Sequence, residues 1–485
     1  MVYQPTKESV DTHPVPEWYH DAKFGIFIHW SLSCVPAFAP TDKGDIMDIL
    51  RNEGTKAMFA NQPYSEWYLN SLRIKGSPAY EHHVKTYGAD YDYYEFAHEF
   101  NAALEAWDPA GWADLFKEVG ARYVVLVTKH HDGFLLWPSE HLNPMKPDLH
   151  ASRNVVGELT DEVKARGMRM GFYYSSPYDW TFTEKGITDL AMSLARIPAS
   201  GEYGKYANSH SYELIDKYDP SVLWSDIGYP NGVNINEIFA HFYNKTPDGV
   251  VNERWGQTSA LMQSLVFVPG IRQAVSWYAK KLWLQGHTSP PGVHYDFTTP
   301  EYTSRSEISE EKWECVRGIG KSFGYNKQEV PDDFLSVSEL VRLLVDIVSK
   351  NGNLLLNVGP KPGGAIPEVQ VDRIKGVGAW LAVNGDAIYG TRPWKRAEGR
   401  TTEGLSVRFT SKTGSLFAIL METPRGPEVT IESLKAVDGM QVELLGQDAP
   451  LDWEHAGSGI KVRLPRQLPD APAVCLKMTP GPSGL

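Results

Sequence analysis

The sequence predicts an α/β protein: a (β/α)8-type barrel followed by an all-β C-terminal sandwich. Three observations carry this. Short apolar runs alternate with helical patterns through the first three-quarters of the chain, and such alternation builds a parallel sheet. Most runs lack the polar alternation of a half-wetted sheet, so they read as strands buried on both faces. From about residue 395 the texture changes to short alternating strands separated by Gly, Pro and Asp, the pattern of a sandwich.

The predicted barrel strands, in order, are FGIFIHW (24–30), YVVLVTK (123–129), MRMGFYYS (168–175), SVLWSDIG (221–228), GVVNERW (249–255), HYDFTT (294–299), GKSFGYN (320–326) and NGNLLLNVG (351–359). Between them, 108–120 has Asp-Pro at its start and Gly at its end, and 154–167 also stops at Gly, as helices do. Residues 235–249, 336–352 and 367–384 complete the helical set. About eight strands in this length favour a closed barrel over an open doubly wound sheet, because no GxGxxG follows the first strand. The sandwich strands are LSVRFT, SLFAILM, EVTIES, MQVELLG, IKVRLP and AVCLKM. The expected domains are therefore 1–390 and 391–485.

Composition narrows the function. The 485 residues are 42% hydrophobic and 22% charged, with a formal net charge of −13. Core material is ample, which excludes disorder as the main state. An acidic chain repels phosphate backbones and anionic bilayers, so neither nucleic acid nor membrane is an expected partner. No run approaches the roughly 18 apolar residues of a membrane span. Cys34, Cys315 and Cys475 form no CxxC and no even framework, so neither a disulfide nor a zinc site is expected. The N-terminal stretch lacks a basic start followed by an apolar run, and a cytoplasmic location is the expectation. The 15 Trp, 24 Tyr and 18 Phe suit flat-faced ligands such as carbohydrates, and suit a large core equally.

In a barrel, chemistry sits where strands end and loops begin. His29 ends the first predicted strand, His130, His131 and Asp132 the second, Tyr173 and Ser175 the third, Asp226 the fourth, Glu253 and Arg254 the fifth; Asp296 and Glu301 follow the sixth. Val222, Trp224 and Asp226 share one face by the period of two, so Asp226 points inward near the mouth. It reads as a nucleophile or general base, or more plainly as a helix cap or the partner of Arg254. Glu301 after Thr-Thr-Pro reads on its own as a first-turn helix residue; opposite Asp226 it becomes the second carboxyl that glycosidic cleavage needs. His29, His130 and His131 together resemble a zinc set, but the adjacent pair diverges on a strand. Hydrogen bonding in a polar pocket fits them better, and no metal or cofactor is expected. Trp67, Trp224 and Phe323 are core or ligand contacts.

Taken together, EWYHDAKFGIFIHWS, YSEWY, KHHDGFLLWPS, YYSSPYDW, SVLWSDIGYP, VVNERWG, DFTTPEY, KWECVRGIGKSFGYN and KNGNLLLNVGPKPGGAIP resemble the retaining α-L-fucosidases of glycoside hydrolase family 29. The likeness runs in order from about 17 to about 390. It implies an exo-acting hydrolase working through a covalent fucosyl-enzyme, with Asp226 as nucleophile and Glu301 as acid/base. It implies substrate contacts at His29, Glu66, Trp67, His130, His131, Tyr173, Trp224, Arg254 and Phe323. The implied partner is a fucosylated oligosaccharide or glycoside, and a homo-oligomer fits the family.

The chain departs from that pattern at about 257–294, where some 38 residues separate Gly256 from the Asp-Phe segment. Ile271, Val275, Tyr278 and Leu282 recur there at helical spacing beside Lys280 and Lys281, predicting a helix that walls the leaving-group side, packs on a partner subunit or decorates the barrel. A second extra loop spans about 37–62. Two further readings stand beside the fucosidase: a metal-dependent hydrolase on His29, His130 and His131, and a non-catalytic carbohydrate-binding protein on the same scaffold.

Overall fold

Seven parallel strands form the first sheet: β1 (Phe24–Ile28), β2 (Tyr123–Lys129), β3 (Arg169–Tyr174), β4 (Val222–Ser225), β5 (Val250–Val251), β6 (Trp313–Gly318) and β7 (Gly352–Val358). The structure, a computed structural model, describes residues 2–198, 200–284, 292–447, 449–468 and 470–484. The sheet order is β5-β4-β3-β2-β1-β7-β6. Its two edges are joined by residues 296–302. Asn252 bridges Phe297, Thr298 bridges Trp313 and Glu301 bridges Val316, all in parallel sense. The Asp296 amide donates to the Val251 carbonyl and the Tyr302 amide to that of Val316. This irregular segment takes the eighth place and closes the barrel.

Two expectations change here. Residues 320–326 form a loop rather than a strand, and the strand beside β7 is Trp313–Gly318. That stretch, WECVRG, carries charges at both Glu314 and Arg317, which hid its burial from a reading based on apolar runs. Glu301 lies in the closing segment and not in the first turn of a helix.

The helices follow sequence logic. Pro109–Glu118 opens on Pro at its first turn; the Asn154 side chain caps Val155–Ala165; Ser336 and Glu339 form a reciprocal capping box on Val337–Ser349. Ile235–Lys245 and Glu368–Asn384 complete the expected set, and an unexpected helix, Gly201–Tyr218, precedes β4. Its buried side mixes Tyr203, Tyr206, His210, Ser211 and Glu213 with Ala207, Leu214 and Ile215, so it carries little periodic apolar signal. Most of the barrel interior and its helical shell share one apolar core, while Ile235–Lys245 packs with Leu223, Val251 and Trp255 in a second, smaller one.

In the C-terminal region, β8 (Arg392–Arg400), β9 (Ser406–Lys412), β10 (Ser415–Leu420), β11 (Glu428–Ile431), β12 (Leu434–Lys435), β13 (Gln441–Leu444), β14 (Pro450–Leu451), β15 (Trp453–Ala456), β16 (Gly459–Arg463), β17 (Val474–Thr479) and β18 (Ser483–Gly484) follow. They pair as β14-β13-β17-β10-β9-β8, β11-β16-β15 and β12-β18. Their inward residues form a separate apolar core. Arg408 reaches Asp346 of the barrel at 2.7 Å and the Trp380 indole donates to the Ala473 carbonyl.

The extra segment after β5 folds into two helices, Ala260–Leu265 and Pro269–Leu284, with the expected stretch at 285–286 outside the described residues. Its inner face matches the apolar spacing except at Tyr278. Arg272 pairs with Asp189, Ser276 bonds the Ala191 amide, and Val275, Ala279 and Trp283 pack on the core. Tyr278 instead faces solvent beside Trp277, and Leu261, Met262, Phe267, Val268 and Leu284 are also exposed. Val275 packs inward, and Ile271 and Leu282 are half-buried, as their spacing suggests; Arg272 and Ser276 share that inward side, and Tyr278 alone of the four is turned out.

Candidate active site

Asp226 leaves the C-terminal end of β4 two residues beyond Trp224, and the pleat turns both toward the barrel axis. The next residue, Ile227, has φ +63°, a left-handed conformation that β-branched side chains avoid. Gly228 then passes so close to Gly256 that a Cβ would lie 2.6 Å from its carbonyl oxygen. Glu301 is followed in the same way by Tyr302 at φ +50°. Both carboxyl-bearing residues thus precede strained backbone, as is common where a site fixes a side chain against local preference.

Arg254 joins the two. Its Nη1 donates to Asp226 Oδ1 at 2.8 Å and to Glu301 Oε1 at 2.5 Å. Those oxygens, bound to one nitrogen, lie no more than about 5.3 Å apart. Thr299 anchors the other guanidinium atoms, its hydroxyl accepting from Nε and its carbonyl from Nη2. Glu253 holds Thr299 in turn through its amide and hydroxyl. Burial works against the Arg254 charge, yet Glu301, Asp226 and Glu253 hold it firmly protonated. Glu301 is pushed up from the usual carboxyl range by burial, against the pull of Arg254 and with the help of the Asp226 charge.

The remaining predicted residues converge on the same hollow. The Tyr173 hydroxyl donates to Asp226 Oδ2 at 3.1 Å. Trp224 stacks on Tyr173 with centroids 5.4 Å apart, and the Arg254 guanidinium lies 4.8 Å from the Trp224 ring. His131 Nε2 stands 3.9 Å from Asp226 Oδ2 while its Nδ1 meets Ser175 Oγ at 2.5 Å. His130 lies beside His131 and His29, and His29 Nδ1 pairs with Asn357 Oδ1 at 2.6 Å. Burial lowers all three imidazoles, His29 to about 4, so they are neutral at pH 7. Phe323 packs on His29, and Trp67 meets His131 edge-on. Glu66 accepts from the Gly324 amide at 2.8 Å, and burial raises it to about 8, so it holds a proton at neutral pH. Neutral imidazoles and a protonated carboxyl offer both donors and acceptors to hydroxyl groups.

Among the described residues no three His, Cys, Asp or Glu side chains are grouped to hold a metal ion. Thr299, Asn357 and Tyr64 escaped the sequence reading, whereas Ser175 stands where the end of the third strand was expected to bring it. Tyr64 packs edge-on against Phe323 and its buried hydroxyl has no hydrogen-bond partner. Thr299 was legible as the neighbour of the Pro-Glu pair; the others carry no local signal.

Comparison with known proteins agrees with this geometry. The alpha-L-fucosidase family model matches residues 1–386, and the alpha-L-fucosidase C-terminal domain model matches 401–479. An alpha-L-fucosidase of Branchiostoma floridae is 32% identical over 478 residues, covering 96% of this chain and 92% of that protein. Human tissue alpha-L-fucosidase is 30% identical, covering 97% and 89%. The crystal structure of Thermotoga maritima alpha-fucosidase in complex with a mechanism-based inhibitor superposes with a TM-score of 0.83 at 40% identity, covering 98% of this chain and 99% of that one.

Proposed function

The chain belongs to the alpha-L-fucosidase family of glycoside hydrolases, and from that premise we propose a retaining, exo-acting mechanism carried by Asp226 and Glu301. Asp226 attacks the anomeric carbon of a terminal α-L-fucoside while Glu301 protonates the departing glycosidic oxygen. The C–O bond to the leaving group breaks as a fucosyl ester forms on Asp226. Glu301, now a carboxylate, takes a proton from water, which attacks the same carbon and releases α-L-fucose and free Asp226.

The carboxyl spacing carries this reading. Two oxygens held no more than about 5.3 Å apart by one arginine nitrogen bring the carboxyls nearer the roughly 5–5.5 Å of retaining enzymes than the roughly 6.5–9.5 Å of inverting ones. The raised Glu301 supports its part as acid. Arg254 and the Tyr173 hydroxyl orient the nucleophile. Glu66, Trp67, His29, His130 and His131 meet the sugar hydroxyls, and Trp224 and Phe323 face the C5 methyl, where one buried methyl contributes about 1 kcal/mol. Proton NMR of the first anomer released from an aryl α-L-fucoside tests substrate and stereochemistry together. The α-anomer is expected; first release of the β-anomer would refute retention.

A further inference from the structure

Beneath the site, on β6, Glu314 is fully buried in the barrel floor. It plays no part in bond making. Its Oε2 accepts from the hydroxyls of Tyr19 at 2.9 Å and Tyr123 at 2.5 Å. Its Oε1 accepts from the indole N–H of Trp224 at 3.2 Å. The two oxygens are thus divided: one belongs to the floor, the other to Trp224.

Trp224 is the plate on which the two groups hydrogen-bonded to the Asp226 carboxylate rest. Tyr173 stacks on one part of it, the Arg254 guanidinium lies 4.8 Å from its ring, and Tyr173 and Arg254 are the groups that bond Asp226. A buried indole N–H needs an acceptor, and the one it has fixes the tilt of the ring. A ring free to tilt would shift the hydroxyl and the guanidinium together. Displacements on the order of 1 Å in such groups reduce rates about a hundredfold.

We propose that Glu314 is a positioning residue: through Trp224 it sets the height of Tyr173 and Arg254, and hence the aim of the Asp226 carboxylate at the anomeric carbon. This rests on the assignment of Asp226 as nucleophile. Tyr19 and Tyr123 act one step further out, keeping Glu314 from turning away from the indole.

The test compares Glu314→Leu, Glu314→Gln and Glu314→Asp on an aryl α-L-fucoside, with rates taken per folded molecule and fucose inhibition measured alongside. Glu314→Leu removes both acceptors and is expected to lower kcat about 10- to 100-fold, while KM and the fucose inhibition constant move less than about threefold. Glu314→Gln keeps an acceptor oxygen at the indole and is expected to stay within about threefold of wild type. Should Glu314→Leu not fold, Glu314→Asp decides: one methylene shorter, it is expected to lose about five- to tenfold in kcat at unchanged KM. A merely structural carboxylate would lower yield and melting temperature while kcat per folded molecule stayed within about twofold in both the Leu and Asp variants, and that result would overturn the proposal. So would a Gln variant as impaired as the Leu one. If wild type itself released no fucose, or Asp226→Asn left turnover intact, the assignment of the nucleophile would fail, separately from the role of Glu314.

Discussion

The two ends of the barrel bury charge in opposite ways. At the C-terminal end, one guanidinium grips two carboxyls, and every member of the group keeps an ionic partner within hydrogen-bond reach. At the N-terminal end, Glu314 is held by neutral hydroxyls and an indole, and burial raises it to about 7. Lys23, just before β1, is buried with its Nζ unpartnered, and burial together with nearby Arg392 lowers it to about 7. Pairing preserves a buried charge, whereas neutral surroundings push the group toward its uncharged form. The chemistry sits where Arg254 preserves charge by pairing, with the neutral Glu66 and imidazoles beside it.

Four substitutions probe that contrast, from the largest effect to the smallest. Asp226→Asn removes the nucleophile and is expected to lower kcat about a thousandfold or more, with circular dichroism unchanged. Arg254→Met strands two carboxyls in the site. It should lower thermal stability by about 3–5 kcal/mol and kcat by about a hundredfold; calorimetry and steady-state rates check both. A variant that kept its stability would show that the upper end is less dependent on pairing than the contrast requires.

Glu66→Gln mimics the protonated carboxyl that burial imposes. Its pKa of about 8 lies above the unfolded carboxyl value, so the folded state holds a proton that the unfolded state has lost. The stability this gives is full below the unfolded value, declines as pH rises through 4.5 to 8, and is gone above 8. The variant should therefore keep activity within about tenfold at pH 6 and lose less stability than wild type between pH 6 and 9, as thermal melts would report. Lys23→Met acts in the opposite sense. The folded lysine releases its proton near 7, far below the unfolded value near 10.5, so wild-type stability should rise from pH 7 to 10. The variant should be more stable by on the order of 2 kcal/mol at or below pH 7, and the gain should fade as pH approaches 10.5. A flat pH dependence in the wild type would mean that Lys23 stays charged through a partner, and the contrast between the two ends would fail.

Sequence made the upper end readable and left the lower end obscure. His29, His130, Asp226 and Arg254 each stand just past a run of strand-forming residues, so their place at the mouth follows from strand length and the period of two. Glu314 stands inside a run interrupted by charge, and nothing local distinguishes a carboxyl held by two tyrosines from one in solvent. The closing segment 296–302 was legible as a strand-like run, but its irregular pairing depends on partners in β5 and β6. The outward turn of Tyr278 depends on Asp189, some 90 residues earlier, drawing Arg272 and Ser276 inward.

By itself the sequence determined the class of fold, the order of most strands and helices, and the inventory of carboxyls, imidazoles and aromatic rings that meet at the barrel mouth. These follow from local periodicity, capping and turn chemistry, which act over a few residues. Only the tertiary structure decided that one nitrogen of Arg254 bridges Asp226 and Glu301, that Glu66 and the three histidines are uncharged at neutral pH, and that Glu314 supports Trp224 from below. Each depends on distances between groups far apart in the chain and on exclusion from water, and both arise only when the sheet closes.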